Sequence, residues 1–218
     1  MKIIYLELEN GTEQYYAQGD IMVFDLVKFL DIIPLKADLI YTDPPWSDGN
    51  CKYWRTIAHK QDNNIESYKL SYHTFLSRLH EQLPHTPLFI EGSRLTYNTI
   101  LNVFGEDYKY NRVFKVFYDK DIEQRLIFFN DNPIILDLND MVDLEYVQAV
   151  FTYYNYTTET VLDPCTGLGI TPKTAYKFNK NFIGFDLNKT RLDKTIQLFK
   201  NKTERKDEIW IEGQNTHL

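Results

Sequence analysis

Cysteine is nearly missing from this sequence: Cys51 and Cys165 are the two in 218 residues. That is too few for a disulfide framework or a cysteine-built zinc site, and a reducing compartment is expected. No run approaches the ~20 apolar residues that a membrane span requires, and the opening MKIIYLELEN mixes acids with apolar residues, as a strand does and a signal peptide does not. A cytoplasmic chain with no membrane partner is the expectation, which makes the Asn-x-Thr triplets at Asn10, Asn155, Asn188 and Asn201 chance matches rather than glycosylation sites. His59, His73, His80, His85 and His217 fall in no ligand spacing, so no metal is expected. Positive charge is scarce as well. A net charge of −7 argues against a protein whose whole surface binds nucleic acid, although residues 172–206 hold ten Lys or Arg against three acids. That cluster reads as the solvated faces of two helices.

What is present is ordinary globular material, 43% hydrophobic and 15% aromatic, enough for one domain with a full core. No internal repeat, low-complexity segment or linker interrupts it. Short apolar runs predict strands at 2–8, 14–18, 37–42, 86–91, 109–118, 124–129, 159–163 and 181–186, and helical periodicity fits 22–31, 71–83, 94–104, 140–154, 172–179 and 188–202. Alternation of this kind predicts an α/β fold, a mostly parallel sheet with helices on both faces. The runs on either side of DKD at 119–121 predict an antiparallel edge hairpin.

Ligands of such sheets sit beyond the carboxyl ends of the strands, and three strand ends carry unusual chemistry. ADLIYTDPPWSDG at 37–49 runs an apolar strand into Asp43-Pro44-Pro45-Trp46. Two prolines end a strand, because neither can donate to a ladder, and they leave the Pro44 carbonyl free for another partner. VLDPCTGLGITPKT at 161–174 looks at first like a phosphate loop, but Pro172 stands where a P-loop needs glycine before its Lys-Thr and where the dinucleotide fingerprint needs its third glycine. It supplies instead a strand ending at Asp163, Gly167 and Gly169 for close backbone approach, Thr171 as an expected N-cap and Pro172 as an expected first helical residue. FIGFDLN at 182–188 places Asp186 about twenty residues on, where a carboxylate accepts both hydroxyls of a ribose. A nucleoside without a bridging phosphate fits these features, and S-adenosylmethionine is such a molecule.

These three stretches together resemble the DNA-modifying amino-methyltransferases, enzymes of adenine N6 or cytosine N4. DPPW at 43–46 is similar to their catalytic motif, DPCTGLGIT at 163–171 to their cofactor loop, and IGFDLN at 183–188 to their ribose-binding step. YYAQGDIMVFDLVKFL at 15–30 resembles the motif preceding the catalytic strand, with Asp20 expected near the cofactor's adenine. The order, catalytic motif first, is that of the permuted β class. The resemblance implies a Rossmann-like S-adenosylmethionine-dependent fold with a seven-stranded sheet, a single domain over 1–218 with its catalytic half at about 1–130 and its cofactor half at about 131–218, and S-adenosylmethionine as cofactor. Asp43, Pro44, Pro45 and Trp46 become the expected catalytic group, and Asp20, Asp163, Pro164, Cys165, Gly167, Gly169, Thr171, Asp186, Leu187 and Asn188 the cofactor group. Cys165 stands where the family usually has Phe.

Asp43 and the Pro44 carbonyl can each accept one hydrogen of an exocyclic amine, aiming its lone pair at the methyl donor, while Trp46 offers a face to a base taken out of the stack. Asp rather than Ser at position 43 tilts the expectation toward adenine. The stretch from Ser47 to Leu70 reads as a lid, and its Lys52, Tyr53, Trp54, Arg55 and Lys60 mix cations with aromatics as single-strand binders do. The family's long target-recognition insertion has no counterpart, since 130–140 is all the room available, so a homodimer or a heteromeric partner subunit is expected to extend the footprint on DNA. RNA, a protein amide, or a cofactor-binding subunit without chemistry of its own are the alternatives.

Overall fold

LIYT, LFIEG and TVLD are buried at every position. Strands that alternate neither in sequence nor in burial must be covered on both faces. The computed structural model describes residues 1–20, 25–45, 53, 56, 65–93, 96–118 and 121–211, with 65–71 as backbone only. In chain order the elements are β1 Lys2–Leu8, β2 Glu13–Gln18, α1 Asp25–Leu30, β3 Leu39–Thr42, α2 Ile65–Gln82, β4 Leu88–Gly92, α3 Tyr97–Phe104, β5 Tyr110–Tyr118, β6 Ile122–Asn130, α4 Leu144–Tyr153, β7 Thr160–Asp163, α5 Ile170–Lys177, β8 Asn181–Asp186, α6 Lys189–Gln197 and β9 Thr203–Trp210. No helix among the described residues is long and apolar enough to cross a membrane.

The strands form one sheet in the order β5-β6-β4-β3-β7-β8-β2-β1-β9. Its middle, β4-β3-β7-β8-β2, is parallel throughout, and antiparallel pairs close both sides, β6 and β5 beside β4, β1 and β9 beside β2. Helices lie on both faces, as expected. Leu26 and Phe29 of α1, Phe75, Leu76 and Leu79 of α2, and Ile100 and Phe104 of α3 share a core with Ile40, Ile90, Leu162 and Ile183. On the opposite face Tyr146, Val147 and Val150 of α4, Ala175 of α5, and Leu192 and Ile196 of α6 pack on Tyr41, Phe89, Val161 and Phe182.

The expected sheet, seven-stranded and mostly parallel, is corrected to a mixed sheet with nine strands among the described residues. The strand that none of the eight apolar runs predicted is β9, TERKDEIW, which carries charge on both faces, is largely exposed and has no hydrophobic alternation. Charged residues suit an edge that must not pair indiscriminately. The helix expected at 188–202 is shorter: α6 ends at Gln197, and a 3-10 turn, Lys200–Lys202, leads into β9. Helix α2 starts at Ile65, inside the stretch read as a lid.

The centre of the sheet therefore carries the stability. Leu162→Ala, on a strand buried on both faces, should cost ~2–5 kcal/mol in urea unfolding, whereas Lys206→Ala on exposed β9 should stay within about 0.5 kcal/mol.

Candidate active site at the carboxyl edge of the sheet

Five parallel strands deliver their carboxyl ends to the same edge, and each carries an acid at or just past its end: Glu91 on β4, Asp43 after β3, Asp163 on β7, Asp186 on β8 and Asp20 after β2. The β3–β4 ladder stops at Thr42↔Ile90, where the two prolines end it, so Asp43 stands level with Glu91. Asp43 is exposed, Pro44 buried and Pro45 half-buried.

Asp163 is 2% exposed. Cys165 N–H donates to its Oδ1 at 2.9 Å and the Thr171 hydroxyl to its Oδ2 at 2.6 Å. Burial nevertheless outweighs these bonds, and with the Asp43 and Asp186 charges nearby it pushes the carboxyl up to about 7. Thr171 thus serves Asp163 and is not the expected N-cap; Gly169 occupies that position in the left-handed region, the helix starts at Ile170, and Pro172 falls in its first turn. The loop itself is tied down. Thr166 N–H donates to Phe185 O and the Thr195 hydroxyl to Gly167 O, and a Cβ at Gly167 would stand 2.9 Å from the Arg191 guanidinium. With φ of +56° and +86°, Gly167 and Gly169 meet both a conformational and a packing demand that only glycine satisfies.

Asp186, also buried, accepts Gly167 N–H on Oδ2 at 2.8 Å and Asn188 N–H on Oδ1 at 2.7 Å. Burial raises its pKa while those two bonds and Arg191 hold it down. Each oxygen is fixed by one backbone donor, which orients the carboxylate and leaves its outward lone pairs for a ligand. Asn188 also caps α6, accepting Arg191 N–H, and the Leu187 carbonyl accepts from Gln18 Nε2. Asp20 reaches the same edge through Gly19, whose N–H donates to Asp186 O at 3.2 Å. Pro164 is buried, and Cys165, half-buried and free of disulfide, has its thiol raised by burial first and Asp163 next, which disarms it as a nucleophile.

Two features escape sequence reasoning. Glu91 is 5% exposed, with Tyr41 O–H donating to Oε1 at 2.7 Å and Tyr146 O–H to Oε2 at 3.2 Å. Burial first, then the Asp43 charge, raises its carboxyl well above the usual range, against the pull of the two hydroxyls. The signal was available, since LFIEG ends an apolar strand on an acid as LIYTD and TVLD do. Arg191, whose charge acts on Asp186, carried no such signal. Of the expected residues, Trp46, Lys52, Trp54, Arg55 and Lys60 lie outside the described residues, and Tyr53 is 58% exposed. Among the described residues no cluster of His, Cys, Asp and Glu is arranged for a metal.

No protein-family model and no curated protein sequence matches the chain. Solved structures do. M1.HpyAVI is 18% identical with a TM-score of 0.56, over 84% of this chain and 97% of its own. TTHA0409 of Thermus thermophilus, assigned as a DNA modification methylase, is 15% identical with a TM-score of 0.58, over 85% of this chain and 94% of its own. PvuII DNA methyltransferase, cytosine-N4-specific, is 12% identical with a TM-score of 0.57, over 84% of this chain and 85% of its own. The fold of this chain is that of DNA methyltransferases. M1.HpyAVI and TTHA0409 have also been solved with S-adenosylmethionine.

Because the folded Asp163 pKa stands above its unfolded value, its stabilising effect is complete below about pH 3.9 and is lost as pH rises through about 7. Asp163→Asn, which cannot ionise, should flatten that part of the profile: thermal unfolding of the variant should gain on the native chain between about pH 4 and about pH 7 and level off above it.

Proposed function

We propose that the chain is an S-adenosylmethionine-dependent DNA adenine N6-methyltransferase. The observation that carries this reading is the in-order row of carboxylates at the carboxyl edge, with the glycine loop between Asp163 and Asp186 and the Pro-Pro stop after Asp43. A ligand that is a nucleoside and a cation at once suits that edge. Asp186 would take the ribose hydroxyls, Asp163 the ammonium end, Asp20 the adenine side, and Gly167 and Gly169 let the loop come close. When bound, the sulfonium supplies an electrophilic methyl group.

The protein's own part is to prepare the amine. An aromatic amine is a poor nucleophile because its lone pair is delocalised into the ring. Asp43 and the Pro44 carbonyl each accept one N–H, drawing the nitrogen toward tetrahedral geometry and turning its lone pair to the donor. Asp43 is exposed, whereas burial pushes Glu91, level with it on β4, toward its neutral form; Asp43 is therefore the carboxylate that takes the proton the methylated amine gives up. Trp46 would support the base from its flank.

Incubation with methyl-labelled S-adenosylmethionine and unmodified DNA, RNA or protein, followed by nucleoside and amino-acid analysis, should find N6-methyladenine in DNA. Label in cytosine, RNA or a glutamine amide would replace the substrate, and no label with tight cofactor binding would favour a partner subunit. Asp43→Ala should abolish transfer while leaving cofactor affinity near that of the native chain, and Asp186→Ala should weaken cofactor binding by ~1–3 kcal/mol in calorimetry.

A further inference from the structure

One polar residue on the α4 face has hydrogen bonds to make and nothing to make them with. Gln124 of β6 is 1% exposed, and neither its amide nitrogen nor its amide oxygen has a partner among the described residues. Its neighbour across β5 is Val116 and the next residue on its own face is Leu126, both fully buried and apolar. A buried amide with neither atom satisfied is unfavourable and calls for an explanation.

Register supplies one. Glu91 pairs directly with Leu126 across β4 and β6, so Glu91 and Gln124 share a face, the face of Tyr41, Phe89 and Phe128. Asp43 follows Tyr41 by two residues on the neighbouring strand, and its charge acts on Glu91, Tyr146 and Asp163. Across four adjacent strands the carboxyl edge of this face thus reads Gln124, Glu91, Asp43, Asp163, in an otherwise apolar layer. Asp163 has Cys165 and Thr171, and Glu91 has Tyr41 and Tyr146. Among the described residues Gln124 is left with its bonding capacity unused. With strands about 4.8 Å apart, its backbone lies roughly 10 Å sideways of Asp43 and one row nearer the edge.

We propose that Gln124 reads the ring edge of the nucleobase whose amine Asp43 holds, a specificity residue resting on the methyltransferase assignment above. With the methyl donor on the Asp163 side, a base presenting its amine to Asp43 extends over β4 toward β6. An amide supplies both a donor and an acceptor, matching the paired donor and acceptor pattern of a base edge as Asn and Gln do elsewhere. Because the amide is buried, a base that reaches it is desolvated with it, and unpaired alternatives are rejected most strongly there.

The test is Gln124→Leu, of similar volume and without the amide, examined by thermal unfolding, S-adenosylmethionine calorimetry, and kcat/KM on oligonucleotides carrying either the natural base or a deaza base lacking one ring acceptor. The variant should unfold at the native temperature or above, bind the cofactor as the native chain does, and lose about tenfold or more in kcat/KM. Deaza substitution should penalise the native enzyme and add little further penalty in the variant. Unchanged kcat/KM in the variant overturns the inference, as does a loss of activity accompanied by an equal loss of stability or cofactor binding. A native chain that methylates no oligonucleotide overturns the methyltransferase assignment and this inference with it, whereas native transfer with an unaffected variant overturns the inference alone.

Discussion

Desolvation of carboxylates at the end of a parallel sheet is the constraint on which the rest of this structure depends. Parallel pairing from β4 through β2 forces five strand ends to one side, and the helices on both faces exclude water from most of what is placed there. An acid in that position is costly unless something compensates. Backbone N–H groups compensate at Asp186, a hydroxyl and an N–H partly do so at Asp163, and two tyrosines partly do so at Glu91. The residual imbalance, with Asp163 at about 7 and Glu91 well above its usual range, is what a cationic ligand would relieve. Carboxyl groups displaced from their usual values in this way are what binding sites commonly hold.

The same constraint divides labour between the two faces. The glycine loop after β7 is fastened to β8 by the Thr166 N–H and to α6 by the Thr195 hydroxyl, so the Asp163 end is held through the loop's own main-chain atoms. The Asp43 end is held by side chains: Tyr41 and Tyr146 join β3, β4 and α4 through Glu91, level with Asp43 on the neighbouring strand. Their bonds fix the polar floor at this end of the sheet, on which the proposed amine substrate would be presented, and Gln124 lies one strand further along it.

Much of the parallel centre was legible in the sequence. LIYT, TVLD and NFIGFD announce themselves as buried strands because both faces are covered, and Asp43, Asp163 and Asp186 are conspicuous as acids closing apolar runs. β9 was illegible, since an exposed charged edge strand has no burial pattern to betray it. The role of Thr171 was misread because Thr-Pro after a glycine is an ordinary helix start, and only the fold shows that the hydroxyl turns back 2.6 Å to Asp163. Gln124 could not be singled out at all. Its significance lies in cross-strand register with Leu126, Glu91 and Asp43, which local sequence does not encode.

Binding of a sulfonium nucleoside at the acidic edge is expected to ionise Asp163. Calorimetric titration of S-adenosylmethionine into the native chain, in buffers of differing ionisation enthalpy, tests it most directly. A carboxyl of pKa about 7 that gains a cationic partner must release protons at neutral pH. Net proton release near pH 7 is therefore expected, with affinity that rises between about pH 6 and about pH 8, and both should be lost in Asp163→Asn. Absence of binding, or binding with no proton release and no dependence on pH, would contradict it.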